Sequence, residues 1–263
     1  MSGDILEKIR AKSALRLGER KKKIPFEKML EAARAAPRRA SFKNALRAEG
    51  GNPAVIAELK KASPSLGLIR ADFEPAKLAA ALEGAGASAL SVLTEEDFFL
   101  GSPEFLRDVC QTVSIPVLRK DFIFDKYQIA EARALGASAV LLIAKMLSAP
   151  EFAELLNFAK SLGLDALCEA HDFSEASMLC ENGAEIIGAN CRNLRTFEMD
   201  FSVSESLVKR LPEGVVKVAE SGVHSRAEMV RARQAGADAA LVGTALMSKP
   251  SPSDELKKLL GTL

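Results

Sequence analysis

Four of the chain's Gly-Ala dipeptides recur at near-equal intervals: Gly86-Ala87, Gly136-Ala137, Gly183-Ala184 and Gly236-Ala237. Each follows a stretch with helical periodicity, and each precedes a short apolar run. Their spacing is roughly 50 residues, about two β–α units, because one βαβ unit takes about 30 residues or more. Glycine closes a helix by taking the left-handed C′ conformation, and the residues that follow enter a strand. Four other apolar runs lie among these, and three of them have a proline close ahead: Pro53, Pro116 and Pro212. Eight strands alternating with helices predict an α/β fold, a (β/α)8 TIM barrel. The length of 263 residues suits a barrel of about 250 residues plus a short extension. An open doubly wound sheet is the alternative, since periodicity alone does not show closure.

The chain has no Trp and only 5% aromatic residues, yet 48% of it is apolar, so the core must be aliphatic. A net charge of +1 provides no global field for gripping nucleic acid, and any basic site must be local. The dense cluster Arg20-Lys21-Lys22-Lys23 reads as a solvated helix end, with attraction of an anion near a site mouth as the alternative. The four cysteines show no C-x-x-C spacing, which argues against a disulfide framework or a zinc site. The start at Met1 lacks a charged region followed by an apolar one, so no secretory signal is expected. The apolar stretch from Ala137 to Ala144 is too short to span a bilayer. A soluble, cytoplasmic protein with no membrane partner is the expectation.

Residues 1–48 are predicted to form a helical extension packed on the barrel, and 49–263 the barrel itself, in one structural domain overall. Asp4 is a candidate cap for a helix through Leu6, Ile9 and Leu15. A second helix is expected to open with Pro25 at its first position and to carry Met29, Leu30 and Ala33, ending at Pro37. Phe42 to Leu46 form another helical turn. Strands are expected at 54–57, 89–93, 117–119, 139–143, 166–168, 186–189, 215–219 and 239–242.

In such barrels the functional groups stand at the carboxyl ends of the strands. Here those ends carry Glu58 and Lys60, Lys120, Glu169, Asn190, Ser221-Gly222 and Gly243-Thr244. The last two pairs each put a small residue beside a glycine after strands seven and eight, where phosphate sites frequently form. Glycine lets main-chain N–H groups approach a ligand closely, and Lys60 is placed to add charge. Gly84-Ala85-Gly86-Ala87-Ser88-Ala89 matches a dinucleotide fingerprint, but it precedes a strand, whereas that motif follows one. His171 and His224 read as loop histidines with local hydrogen bonds, without metal-ligand spacing. A triad on Ser221 lacks the G-x-S-x-G elbow.

At these residues the sequence resembles the indole-3-glycerol phosphate synthase family of tryptophan biosynthesis. The resemblance runs from the N-terminal helices to Met247. It is carried by the segments 57–65 (AELKKASPS), 91–94 (SVLT), 118–123 (LRKDFI), 168–172 (CEAHD), 187–194 (IGANCRNL) and 220–224 (ESGVH). Several long motifs in order are far more specific than any one of them. The resemblance implies a carboxy-lyase that closes the indole ring of 1-(2-carboxyphenylamino)-1-deoxyribulose 5-phosphate, releasing carbon dioxide and water. It implies no cofactor and no metal. By the same likeness Lys120 is the general acid and Glu169 the general base, and Glu58 orients Lys120 or a substrate hydroxyl. Asn190 hydrogen-bonds the sugar. Lys60, Ser221, Gly222, Gly243 and Thr244 match the phosphate end, and Phe122, Leu142 and Leu194 the contacts to the anthranilate ring. Ser63 and Arg192 either meet the carboxylate or brace Glu58. The extra N-terminal helices help cover the mouth.

The departures are small. Cys191 stands where asparagine is common, Ala219 replaces a frequent serine, and Leu59 and Ala62 vary the first motif. The expected partner is a small phosphorylated substrate, with a monomer that associates weakly at most with other pathway enzymes. No fused second enzyme is expected after the eighth strand. Two readings compete with the lyase: a Schiff-base aldolase using Lys120 or Lys145, and a non-catalytic phosphosugar-binding barrel. Ligand retention alone needs no acid and base such as Lys120 and Glu169 supply.

Overall fold

A computed structural model describes residues 5–47, 52–192 and 200–263. Asp4, Leu194 and the expected boundary between extension and barrel at 48–49 lie outside the described residues. Eight parallel strands close into a barrel: β1 (Ala54–Leu59), β2 (Ala89–Leu93), β3 (Val117–Lys120), β4 (Ala139–Ile143), β5 (Asp165–Ala170), β6 (Ile186–Asn190), β7 (Val216–Glu220) and β8 (Ala239–Val242). Neighbours around the ring follow chain order, and β1 pairs with both β2 and β8. Closure removes the open-sheet alternative and leaves no sheet edge to protect.

The Gly-Ala pattern acts as expected. Gly86, Gly136, Gly183 and Gly236 all have φ between 82° and 100°. The alanine after each donates its N–H back to a residue five earlier, for example Ala137 to the Ala132 carbonyl at 3.0 Å. This is a Schellman closure, which satisfies carbonyls left over at a helix end. Leu164 makes the same bond to Ala159 after Gly163, so β5 has this entry as well.

Among the described residues three helices precede the barrel: α1 (Ile5–Lys23), α2 (Phe26–Ala35) and α3 (Phe42–Leu46). Pro25 is the residue before α2 rather than its first member. Leu6, Ile9 and Leu17 are the buried positions of α1, whereas Leu15 is 70% exposed. The three do not act together at the mouth. α3 plugs the opposite end: its first turn takes Asp165, which opens β5, through Lys43 N–H at 2.9 Å, and Phe42 and Leu46 are wholly buried. α1 instead reaches the loops of the carboxyl rim, where Arg16 pairs with Glu96 and Asp97, and Arg20 with Glu96 and Glu131. The basic cluster is therefore a helix end tied by ion pairs, Lys21 to Asp125 and Lys22 to Glu19 among them.

The outer helices follow in turn: α4 (Pro75–Gly84), α5 (Pro103–Thr112), α6 (Lys126–Ala134), α7 (Ala149–Ser161), α8 (Phe173–Glu181), α9 (Phe201–Arg210), α10 (Arg226–Gln234), α11 (Thr244–Met247) and α12 (Pro252–Leu260). A continuous aliphatic core joins them to the strands. Among the described residues no helix is long and apolar enough to cross a membrane.

Candidate active site

The carboxyl rim gathers one pocket from all eight strands and their ends. It is lined by Glu58 and Lys60 from β1 and its end, Lys120 and Phe122 from β3, Glu169 from β5, and Asn190 and Arg192 from β6. Ser221, Gly222, Gly243 and Thr244 complete it from the ends of β7 and β8, with Leu93 and Phe99 from β2 and its loop. Leu141 and Ile143 contribute from β4. Eleven of the residues singled out in the sequence thus converge, although they span 58 to 244 in the chain.

Two do not converge. Leu142 is wholly buried and absent from the lining, which is instead formed by Leu141 and Ile143. Strand side chains alternate, so Leu142 faces away from the barrel interior, and this expectation is corrected to its neighbours. Ser63 also lies off the pocket. It sits in a two-residue ribbon, Ala62–Ser63 against Gly67–Leu68, and its hydroxyl caps the turn by accepting from Leu66 N–H at 3.3 Å.

Lys120 is the hub. Its ammonium donates to Glu169 Oε2 at 3.0 Å and to Glu220 Oε2 at 2.9 Å. Burial opposes its charge, but Glu169, Glu220 and then Glu58 outweigh burial and hold the lysine far above its ordinary range. The two carboxylates respond in opposite directions. Glu169 is buried, yet Lys120, His171 and Asn190 keep it ionised well below the usual range. Glu220 is buried as well; desolvation, reinforced by repulsion from Glu169 and offset in part by Lys120, pushes it up to about 7. Its Oε1 has no hydrogen-bond partner among the described residues.

Glycine makes this arrangement possible at one point of the wall. Gly188 on β6 stands beside Glu169 in register, and a Cβ there would collide with Glu220 Oε1. The backbone must therefore stay bare where Glu220 lies against it.

Glu58 does not hold Lys120 directly. Its Oε2 pairs with Lys60 Nζ at 2.8 Å, and a Cβ on Gly243 would collide with the same oxygen. Against burial, Lys60 and then Lys120 keep Glu58 below the usual carboxylate range. Asn190 bridges two neighbours: its Nδ2 donates to Glu169 Oε1 at 3.0 Å, and its Oδ1 accepts from Ser221 Oγ at 2.9 Å. Ser221 has φ 65° and Gly222 φ 75°. A serine in the left-handed region carries backbone strain of a kind that clusters at functional sites.

The aromatic wall is equally fixed. Phe99 and Phe122 have ring centroids 5.9 Å apart. The Phe99 loop is tied by the buried Glu95 carboxylate, which accepts from the N–H groups of Asp97, Phe98 and Phe99 at 2.7–3.0 Å. Lys145 is exposed and lies off the pocket.

The sequence reading did not single out Glu220, although the signal was the one used for Glu58 and Glu169: an acid closing an apolar strand. His171 does bond locally, to Glu175, but its ring also reaches Glu169.

Comparison with known proteins meets this geometry. The indole-3-glycerol phosphate synthase family profile matches residues 6–259. The indole-3-glycerol phosphate synthase of Koribacter versatilis is 50% identical over 238 residues, covering 90% of each chain. That of Carboxydothermus hydrogenoformans is 45% identical over 261 residues, covering 97% of this chain and 99% of its own. Among solved structures, a 3-hexulose-6-phosphate synthase superposes with a TM-score of 0.62 at 15% identity, over 80% of this chain and 99% of the other. At that identity the likeness is one of fold.

Proposed function

The chain belongs to the indole-3-glycerol phosphate synthase family, and on that premise we propose that Lys120 and Glu169 carry the acid–base chemistry of ring closure. The family's activity is that of a carboxy-lyase in tryptophan biosynthesis. Its substrate is 1-(2-carboxyphenylamino)-1-deoxyribulose 5-phosphate, and its product indole-3-glycerol phosphate, with loss of carbon dioxide and water.

The single observation behind the assignment is the Lys120 ammonium held between Glu169 and Glu220 at 3.0 and 2.9 Å. As the anthranilate carbon attacks the ribulose carbonyl, the carbonyl oxygen gains negative charge and needs a proton. Lys120 is a cation at the pocket's centre and supplies it. The hydroxyl formed then leaves as water, which again needs an acid. Glu169 is ionised before the reaction and takes the proton released when the ring becomes aromatic. Two carboxylates whose environments drive them apart in proton affinity mark such a division of labour. Glu220, titrating near neutrality, is suited to return a proton to Lys120 between the two steps. Each positioned group contributes roughly 10²–10⁴-fold.

Ser221, Gly222, Gly243 and Thr244, with Lys60 beside them, are assigned to the phosphate end. Phe99 and Phe122 hold the anthranilate ring, with Leu141 and Ile143 in place of Leu142. Arg192 is assigned to the carboxylate side.

A Schiff-base aldolase needs a lysine with depressed proton affinity, and Lys120 is shifted the other way. The test is Lys120→Ala. Turnover, followed by the fluorescence of the indole product, is expected to fall about 10³-fold, with substrate still bound. Borohydride treatment with substrate is expected to leave Lys120 unmodified. Near-normal turnover in the variant, or a trapped lysine adduct in the wild type, would contradict the assignment.

A further inference from the structure

Glu169 as the base, the reading above, is the premise from which His171 acquires a role. His171 is the first residue beyond β5, two positions after Glu169. In extended chain, residues two apart share a side, and the imidazole indeed turns back toward the carboxylate. Its Nε2 lies 3.3 Å from Glu169 Oε1, in ion-pair range although its N–H is not aligned for a hydrogen bond. Nδ1 lies 3.1 Å from Glu175 Oε2 in the first turn of α8, and the same oxygen accepts the His171 main-chain N–H at 2.8 Å. Glu175 is itself fixed, since its N–H is capped by Asp172 at 2.8 Å. The ring is thus wedged between two acids and is mostly buried.

The charged groups on adjoining elements are Lys120 on β3, Glu220 on β7, Arg192 after β6, Asp172 before α8, and the exposed Lys145 in the turn 144–146 that packs on α8. Glu169 therefore has a different neighbour on each oxygen: Lys120 on Oε2, and Asn190 with His171 on Oε1. Lys120 gives its proton away during the reaction and with it its charge. A buried carboxylate left beside a neutral amine would be driven toward protonation before it had accepted the ring proton. A cation outside the proton-transfer path prevents that.

We propose that His171 is a positioning residue for ring closure: clamped by Glu175, it keeps a positive charge against Glu169 Oε1 and holds that carboxylate ionised and oriented while Lys120 is discharged. In support, burial lowers the proton affinity of His171, but Glu169 and Glu175 outweigh it and push the imidazole up to about 10.

The experiment joins an imidazole titration to a rate profile. The chain has two histidines, and the resonance lost in His171→Gln identifies His171. In the wild type, nuclear magnetic resonance is expected to show it charged beyond pH 9, near the value of about 10. In Glu175→Gln its titration is expected at least about one unit lower, the size of effect a nearby opposite charge exerts. The alkaline limb of kcat/KM is expected to move down with it. His171→Gln is expected to lower kcat about tenfold at pH 7, one pKa unit's worth, with little change in KM. A wild-type His171 that titrates near 6.5 would overturn the proposal without any variant. So would variants with a lower rate and an unmoved limb, the mark of a merely structural role. Glu169→Gln with full turnover would instead remove the premise, and is distinguishable because the imidazole titration would stand.

Discussion

Arg119 and Lys120 are adjacent on β3, the first fully buried and the second mostly so, and point to opposite sides of the barrel wall. Arg119 faces the outer layer. Its guanidinium donates to Thr94 Oγ1, Asp121, the Gln128 carbonyl and Glu131 at 2.8–3.2 Å, so each of its nitrogens has a partner. Glu131 passes the network to Arg20 of α1 at 3.1 Å. Lys120 faces the pocket, where the groups around it are not fully satisfied: Glu220 Oε1 has no partner among the described residues, and His171 Nε2 is misaligned. The difference separates two uses of buried charge. A closed network holds structure, because each guanidinium nitrogen is already committed to a partner. An open one retains capacity for a ligand and for proton movement.

The largest effect expected on the structural side is that of Arg119→Met. It leaves Asp121 buried without its cation and Glu131 with Arg20 alone, and removing one partner of a buried pair costs about 3–5 kcal/mol. The urea midpoint should fall accordingly, while kcat of the molecules that remain folded changes far less. Equal losses of turnover in Arg119→Met and Lys120→Ala at unchanged stability would erase the contrast.

On the catalytic side, Glu169→Gln is expected to slow turnover about 10²–10³-fold. An unchanged rate would take Glu169 out of the mechanism. Gly188→Ala comes next. Its Cβ displaces Glu220, so the Lys120 pair loosens and kcat falls about tenfold, roughly 1.4 kcal/mol on the activation barrier. A wild-type rate there would show that Glu220 need not lie where it does.

The smallest effect is one of pH. Glu220 is raised from 4.5 to about 7 in the folded protein. The native state therefore holds a proton that the unfolded chain has already released. That contribution is complete below about pH 4.5 and is lost as pH rises through about 7. Glu220→Gln removes the loss, so the variant should be more stable than wild type at pH 8 and indistinguishable from it at pH 4. The opposite order at pH 8 would mean that Glu220 is ionised and stabilising in the native state.

The barrel was legible because its punctuation is chemical: the Gly-Ala closures mark where four strands begin, and strand ends then follow by counting. The rim was legible for the same reason at Glu58, Lys120 and Glu169, acids and a base closing apolar runs. Phase was not legible at β4, since Ala139-Val140-Leu141-Leu142-Ile143 is apolar throughout and nothing in it says which residues face inward. Glu220 was hidden beside Ser221-Gly222, whose small residues drew the reading toward a phosphate. The Arg119 network joins residues about 100 positions apart, and no local pattern announces α1 as its outer partner. The separate destinations of α1 and α3, rim and floor, are likewise set by tertiary ion pairs rather than by helix periodicity.

Lys120→Arg tests the division of labour most directly. Arginine keeps the positive charge and can still pair with Glu169 and Glu220, but it does not release a proton in proteins. Formation of indole-3-glycerol phosphate at saturating substrate is the quantity to measure. The expected result is a loss of about 10²–10⁴-fold in a folded protein that still binds substrate. A rate within a few-fold of wild type would mean that Lys120 acts by charge alone, and would contradict its role as the acid.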